Sequence, residues 1–431
     1  MLDPKEFLAS LFRAAVAAAD PELTIRKHLP KKPKGRTIVV GAGKGSAQMA
    51  AAFEKAWDGP LEGVVVTRYG FGAKCDRIEI LEAAHPVPDE AGLTASTRLL
   101  KAVSGLTEDD LVVALISGGG SALLPSPPPG LMLADEIAVN EALLASGAPI
   151  SAMNTVRKHV SGIKGGRLAA AAHPAQVVTL VVSDIPGDNP AMVASGPTVP
   201  EASTRADALK IVETYRMKLP DAVMAHLASP AAEAPNPVDE RFAGNEVHVI
   251  ASAAVSLEAA AEEARRQGTE AVILSDSMEG EARDVGAVHA AIAREVALRG
   301  RPFTRPVLML SGGETTVTLR GKPGKGGRNS EFLLSFAIGI DGVDGVHALA
   351  ADTDGIDGSE DNAGAFADGG SVATMRAAGV DAKSLLAGNN AWTAFEAAGG
   401  LFAPGPTGTN VNDFRAILVG LPEEIRQPSA S

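Results

Sequence analysis

The chain repeats one unit: a short β-branched and aliphatic run, then glycine or serine, then a stretch with helical spacing. Such runs occupy residues 37–40, 63–67, 78–82, 111–116 and 177–182. They return at 246–251, 271–275, 307–310, 315–319, 347–351 and 416–419. Most are continuously apolar rather than alternating, which suits strands covered on both faces of a parallel sheet. Between them, 46–57, 90–103, 256–266 and 281–298 carry helical periodicity. This alternation predicts the α/β class with parallel sheets. A chain of 431 residues is long enough for two large domains. The aperiodic, proline-bearing stretch 229–244 predicts the boundary, with domains at 1–240 and 241–431. A second Pro/Ser tract, 125–130, reads as a loop closing over something.

The formal net charge is −13. An acidic surface repels phosphate backbones and anionic membranes, so neither nucleic acid nor a membrane is an expected partner. It also means that an anionic substrate needs locally gathered lysine and arginine. The lone Cys75 excludes an intrachain disulfide and reads as a buried or loop residue. Residues 1–20 read as an amphipathic helix, because Asp3, Glu6 and Arg13 interrupt any leader-like apolar core. No apolar run approaches the roughly 20 residues of a membrane span. A soluble, cytoplasmic chain is expected.

Six segments carry the chemistry. Gly41-Ala42-Gly43-Lys44-Gly45-Ser46 joins a strand to a helix, where free N–H groups and a lysine make an anion site. It matches neither a P-loop nor a full dinucleotide fingerprint, since Ser46 stands where the third glycine belongs. A tight turn with a solvated lysine is the plainer alternative. Ser117-Gly118-Gly119-Gly120-Ser121 follows a buried strand and can form a nest of N–H donors. Asn154, Arg157, Lys158, His159, Lys164 and Arg167 form a basic run, either anion-steering or a solvated helix face. Asp184 and Asp188 flank Pro186-Gly187 and suit Mg²⁺ carried on phosphates; one of them is a candidate base. An Asx-type turn explains the same pattern.

In the second half, Ser311-Gly312-Gly313-Glu314 repeats the strand–Ser-Gly-Gly signal. Lys322, Lys325 and Arg328 then lead into a helix opening at Asn329, and an arginine there suits a bidentate grip on phosphate or carboxylate. The sixth segment, Asp352-Thr353-Asp354-Gly355-Ile356-Asp357-Gly358, lacks the glutamate an EF-hand needs and reads as a cleft wall or polar turn. His85, in a rigid proline-flanked segment, reads as structural, with a pocket wall or acid/base role as the alternative.

Together these segments resemble the class II glycerate kinases (glycerate 2-kinases), whose C-terminal part is called the MOFRL domain. The matching segments run in order: 41–46, His85-Pro86-Val87-Pro88-Asp89, 117–123, 154–167, 183–189, Ser195-Gly196-Pro197-Thr198, 311–314, 326–331, 353–358 and 407–413. The resemblance implies a larger Rossmann-like N-terminal domain, a smaller C-terminal α/β domain and an active site in the cleft between them. It implies transfer of the ATP γ-phosphoryl to the C2 hydroxyl of D-glycerate. The family's functional lysine and arginine fall on Lys44 and Arg328. Catalytic candidates are then Lys44, Arg328 and Asp188, and metal candidates are Asp184 and Asp188. Binding candidates are Gly41, Gly43, Gly45, Ser46, Ser117, Gly118, Gly119, Gly120, Ser121, Asn154, Arg157, Lys158, Gly313, Glu314, Asn329 and Asp354. ATP and Mg²⁺ are the expected cofactors. The oligomeric state is left open, a homodimer included.

Two other readings compete. A nicotinamide-dependent hydroxypyruvate reductase would use 41–46 for the dinucleotide and Arg68 for an NADP 2′-phosphate. It leaves the basic loop at Arg328 without a use. A non-catalytic sugar-phosphate sensor would leave the carboxylates at Asp184, Asp188 and 352–357 unexplained.

Overall fold

The computed structural model describes residues 3–319, 324–407 and 409–420. The chain divides into two compact units, one of residues 21–250 and one of residues 1–20 with 251–431. This differs from the expected division at 240. Residues 229–244 are no free linker: Arg167 Nη2 donates to the Ala232 and Glu233 carbonyls, and Ala232 is fully buried. The N-terminal helix Pro4–Ala18 joins the second unit for a plain reason. Its apolar stripe, Phe7, Leu8, Leu11, Phe12 and Ala15, packs with Leu257, Ala260, Ala261 and Ala264 of the helix Ala253–Arg266.

Unit 21–250 holds β1 (Thr37–Ala42), β2 (Glu62–Arg68), β3 (Ile78–Ala83), β4 (Leu111–Ser117), β5 (Gln176–Val182) and β6 (Glu246–Ala251). Their order in the sheet is β3-β2-β1-β4-β5-β6. The pairs β1–β2, β1–β4, β2–β3 and β4–β5 are parallel. Two apolar clusters explain why the runs read as continuous. Ile38, Val40, Val112 and Ala114 face one cluster with Leu99 and Leu168. Val39, Leu111, Val113 and Leu115 face the other with Met49 and Phe53. The central strands β1 and β4 therefore alternate between two dry faces, and no position on them needs to be polar.

The other unit holds β7 (Ala271–Glu281), β8 (Val307–Thr316), β9 (Val346–Asp352), β10 (Gly364–Asp368), β11 (Leu401–Phe402) and β12 (Asp413–Val419). Their order is β11-β10-β9-β12-β8-β7. This sheet is mixed, against the parallel expectation: β12 runs antiparallel to β8 and β9, and β9 antiparallel to β10. The two runs at 307–310 and 315–319 are largely one strand. Gly313 lets it continue, since a Cβ there would lie 2.2 Å from the Met278 carbonyl oxygen on β7.

Candidate active site

The strand order of unit 21–250 reverses between β1 and β4. In an open parallel sheet the crevice beyond the carboxyl ends at such a point is where ligands bind. Two glycine-rich turns meet there. Lys44 N–H donates to the Gly118 carbonyl at 2.8 Å, and Gly45 N–H donates to Ser117 Oγ at 3.0 Å. Ser46 Oγ lies 3.1 Å from Ser117 Oγ. Contact is so close that a Cβ on Gly43 would fall 2.2 Å from Ser117 Oγ. Gly41 is equally pressed by the Leu115 carbonyl, and Gly120 by Ala194 and the Ala42 carbonyl.

Above this floor the side chains converge. Gly119 has φ 78°, and a Cβ there would lie 3.0 Å from both Lys44 Cε and His85 Nε2. A Cβ on Gly118 would overlap the Asp184 carboxylate. These glycines are open because side chains from three other segments need their space. Burial, then the Lys44 and Arg68 cations, lower the His85 pKa from its ordinary value, so its imidazole is neutral at physiological pH.

The segment beside the nest is strained. Asp188, Ala194 and Ser195 all have positive φ, at 49°, 52° and 60°. Left-handed backbone at non-glycine residues costs energy and persists only where surrounding contacts enforce it. Here they do. Ser195 Oγ donates to Asn154 Oδ1 at 2.9 Å and lies 2.9 Å from Ser121 Oγ, while Asn154 Nδ2 donates to the Met192 carbonyl. Asn154 thus supports the nest through Ser195 and Ser121.

The rest of the basic run is not an anion-steering patch or a solvated face. Lys158 is buried and paired with Glu201. Lys164 is buried and bonded to Glu136 at 2.6 Å. Arg167 donates to four backbone carbonyls, and burial lowers its pKa to about 10. Arg157 is bonded to Asn140 and Asn154. Tract 125–130 packs on the same network, with Ser126 N–H donating to Glu136. A buried cation needs a partner, and each of these has one.

Arg328 opens the helix Arg328–Gly339 in the other unit. Its Nε lies 2.7 Å from Asp413, its Nη2 2.7 Å from Asp352 and its Nη1 2.9 Å from Glu314. Burial alone would lower its pKa, but Asp413, Asp352 and Glu314 outweigh it and hold the charge. Asp352 is pushed up to about 8, chiefly by burial, with Asp354 and Asp413 adding to the rise against the pull of Arg328. Fully buried Asp413 also accepts from Asn329, Thr315 and buried Arg415. Asp357 accepts from the N–H groups of Asn329 and Ser330 and so caps the helix itself. The helix entrance is therefore committed to an internal carboxylate, and Asn329 is structural. Gly313 is a strand residue, and Asp354 forms a polar turn by accepting from Ile356 N–H. Lys322 lies outside the described residues. A cavity of about 460 Å³ adjoins this cluster, with Val317, Leu319, Arg328 and Asn389 among its walls.

Among the described residues no three carboxylates, histidines or cysteines gather as a metal site. Mg²⁺ commonly uses one or two carboxylates plus substrate phosphates, and of the two expected ligands Asp184 sets its carboxylate against Gly118 of the nest. Among the described residues no helix is long and apolar enough to cross a membrane. Sequence reasoning gave His85 a structural role, Arg68 a place only in the reductase reading, and Asp413 no role beyond a matching motif. The clue for His85 was its place in such a motif. Nothing local marked Asp413, whose partners lie far along the chain.

Residues 7–228 match the domain of unknown function DUF4147, and 307–413 match the MOFRL family. A protein of Agrobacterium vitis named as a hydroxypyruvate reductase is 52% identical over 96% of this chain and 94% of its own length. The D-glycerate 2-kinase of Thermotoga maritima is 40% identical over 98% of this chain and all of its own. The crystal structure of glycerate kinase from the same organism superposes with a TM-score of 0.88 at 39% identity, covering 96% of this chain and 99% of that one. Lys44 in its glycine nest and Arg328 in its carboxylate cage thus stand in a chain that belongs to the glycerate kinase family with a C-terminal MOFRL module.

Proposed function

We propose that this protein is a glycerate 2-kinase, passing the ATP γ-phosphoryl to the C2 hydroxyl of D-glycerate. The observation that carries this reading is the basic nest at the switch point, where Lys44 stands over Gly119 beside a neutral His85. Phosphoryl transfer asks a protein mainly for positioning and charge neutralisation. The acceptor oxygen bonds to the γ-phosphorus as the bond to the bridging oxygen breaks, and ADP leaves. Lys44 neutralises the transferring group. Arg328 is the second cation: three of its five N–H groups are committed, and two remain for an anion. Asp184 and Asp188 would hold Mg²⁺, which supplies charge neutralisation on the nucleotide phosphates. Asp188 is a candidate proton acceptor. The geometry speaks against dinucleotide binding at 41–46, because the Lys44 and Gly45 N–H groups are spent on the β4 turn.

The name borne by the A. vitis relative sets the control. Purified protein is given D-glycerate, Mg²⁺ and ATP, and the products are read by ³¹P NMR. A parallel cuvette holds hydroxypyruvate with NADH or NADPH. A phosphomonoester resonance matching 2-phosphoglycerate is expected, with the nicotinamide unchanged. Nicotinamide oxidation without a phosphomonoester would overturn the kinase reading.

A further inference from the structure

The turn after β2 holds an arginine that the proposed phosphoryl transfer has not yet used. Arg68 ends β2, and its neighbour Thr67 donates from Oγ1 to the Lys44 carbonyl at 3.3 Å. Arg68 therefore leaves the sheet on the same edge as Lys44. It pairs in register with Ala83, two residues before His85. Its guanidinium carbon lies 3.6 Å from the centre of the Phe71 ring. Among the described residues no carboxylate or carbonyl is bonded to that guanidinium. Other arginines of this unit differ: Arg36 is bonded to Glu62 and Arg98 to Glu79.

Three neighbouring elements fix the turn. Phe71 N–H closes it on the Arg68 carbonyl at 3.1 Å, and Gln48 from the helix Ser46–Ala56 donates to the Phe71 carbonyl. Gly72 N–H donates to Glu82 on β3 at 2.9 Å. Tyr69 donates its hydroxyl to Asp89 at 2.8 Å, and Asp89 caps the helix Glu90–Ala102. Stacking on an aromatic face holds a guanidinium flat while leaving its fork of donors open. Such a pre-set planar fork matches a carboxylate in bidentate fashion and loses little freedom on binding.

We infer that Arg68, held on Phe71, reads the carboxylate of the acceptor hydroxy acid and sets specificity for an acid over a neutral polyol. This inference rests on the kinase reading above. Lys44 and the nest serve the phosphoryl group, and Arg68 holds the other end of the acceptor. Glu82 and Asp89 brace the same turn, so the local charge suits a singly charged carboxylate better than a polyphosphate.

The test is steady-state kinetics on wild type, Arg68→Met, Arg68→Lys and Phe71→Leu, with thermal unfolding to check that each is folded. D-Glycerate is compared with its neutral amide, and the KM for ATP is measured alongside. Arg68→Met is expected to raise the KM for D-glycerate by roughly 10- to 100-fold, the scale of a lost charge-assisted pair. Little change is expected in kcat or in the KM for ATP. Preference for the acid over the amide should fall by the same factor. Arg68→Lys should recover part of the loss, and Phe71→Leu should show a smaller rise in the same KM. An unchanged KM for glycerate in Arg68→Met, or a rise confined to ATP, overturns the inference and leaves the kinase reading standing. A wild type that makes no phosphomonoester from glycerate removes both.

Discussion

Ser117-Gly118-Gly119 and Ser311-Gly312-Gly313 are the same tripeptide after the same kind of apolar run, yet they come to opposite ends. The first stops its strand: β4 ends at Ser117, level with Val182 of β5, and the glycines turn into a nest beneath Lys44. The second stays inside β8, with Gly313 paired to Asp413 of β12 and Met278 of β7. The neighbours decide. Parallel strands finish together and leave a crevice beyond their ends. An antiparallel neighbour begins where its partner ends, and here its first residue is a buried carboxylate. One copy therefore yields an edge with open cations, and the other an arginine bound on three sides by acids.

The contrast predicts that the two cations proposed for phosphoryl transfer fail differently. Lys44 has no bonded carboxylate among the described residues, so its charge is available to a reacting group. Lys44→Met should lower kcat by about 10³-fold, or about 4 kcal/mol of transition-state stabilisation, with the unfolding midpoint little changed. Rapid-quench turnover beside urea denaturation measures both. Comparable glycerate binding with normal turnover would remove Lys44 from the chemistry and erase the contrast.

Arg328 carries a structural burden as well. Removing it leaves Asp352 and Asp413 buried beside each other, with Arg415 as the counter-ion that remains among the described residues. Breaking a buried ionic cluster on one side costs about 3 kcal/mol. Arg328→Met should therefore lose stability on that scale in urea denaturation, besides losing kcat. A variant as stable as wild type would mean the carboxylates do not depend on the arginine.

These partnerships mark the limit of what the sequence can show. Strand positions such as 111–116 were legible because a strand buried on both faces is apolar throughout. Strand direction in the second sheet was not, since an apolar run looks the same beside parallel or antiparallel neighbours. The nest was legible because glycines cluster only where backbone or side chains need the space. The basic run from Asn154 to Arg167 misled because its partners, the acids Glu136 and Glu201 and the carbonyls of Ala232 and Glu233, lie outside the run. Arg328 stood out by its glycine-rich setting, whereas its cage is assembled from β8, β9 and β12.

The cage also differs from the nest in its response to pH. Arg328, Asp354 and Asp413 face Asp352, and burial chiefly raises its pKa to about 8. A carboxyl whose folded pKa exceeds its unfolded value keeps a proton that the unfolded chain has released. Its contribution to stability is fully present below the ordinary aspartate range and is lost as pH rises towards 8. Between pH 6.5 and 7.5 the loss should be about 1 kcal/mol. Asp352→Asn cannot titrate and can still accept from Arg328. Its urea midpoint should therefore fall less than that of wild type over this interval, and the difference between the two curves isolates Asp352 from every other titrating group. Parallel curves would mean that Asp352 is already ionised at pH 6.5, with Arg328 outweighing burial. The cage would then be a fixed ion cluster, differing from the nest in geometry alone.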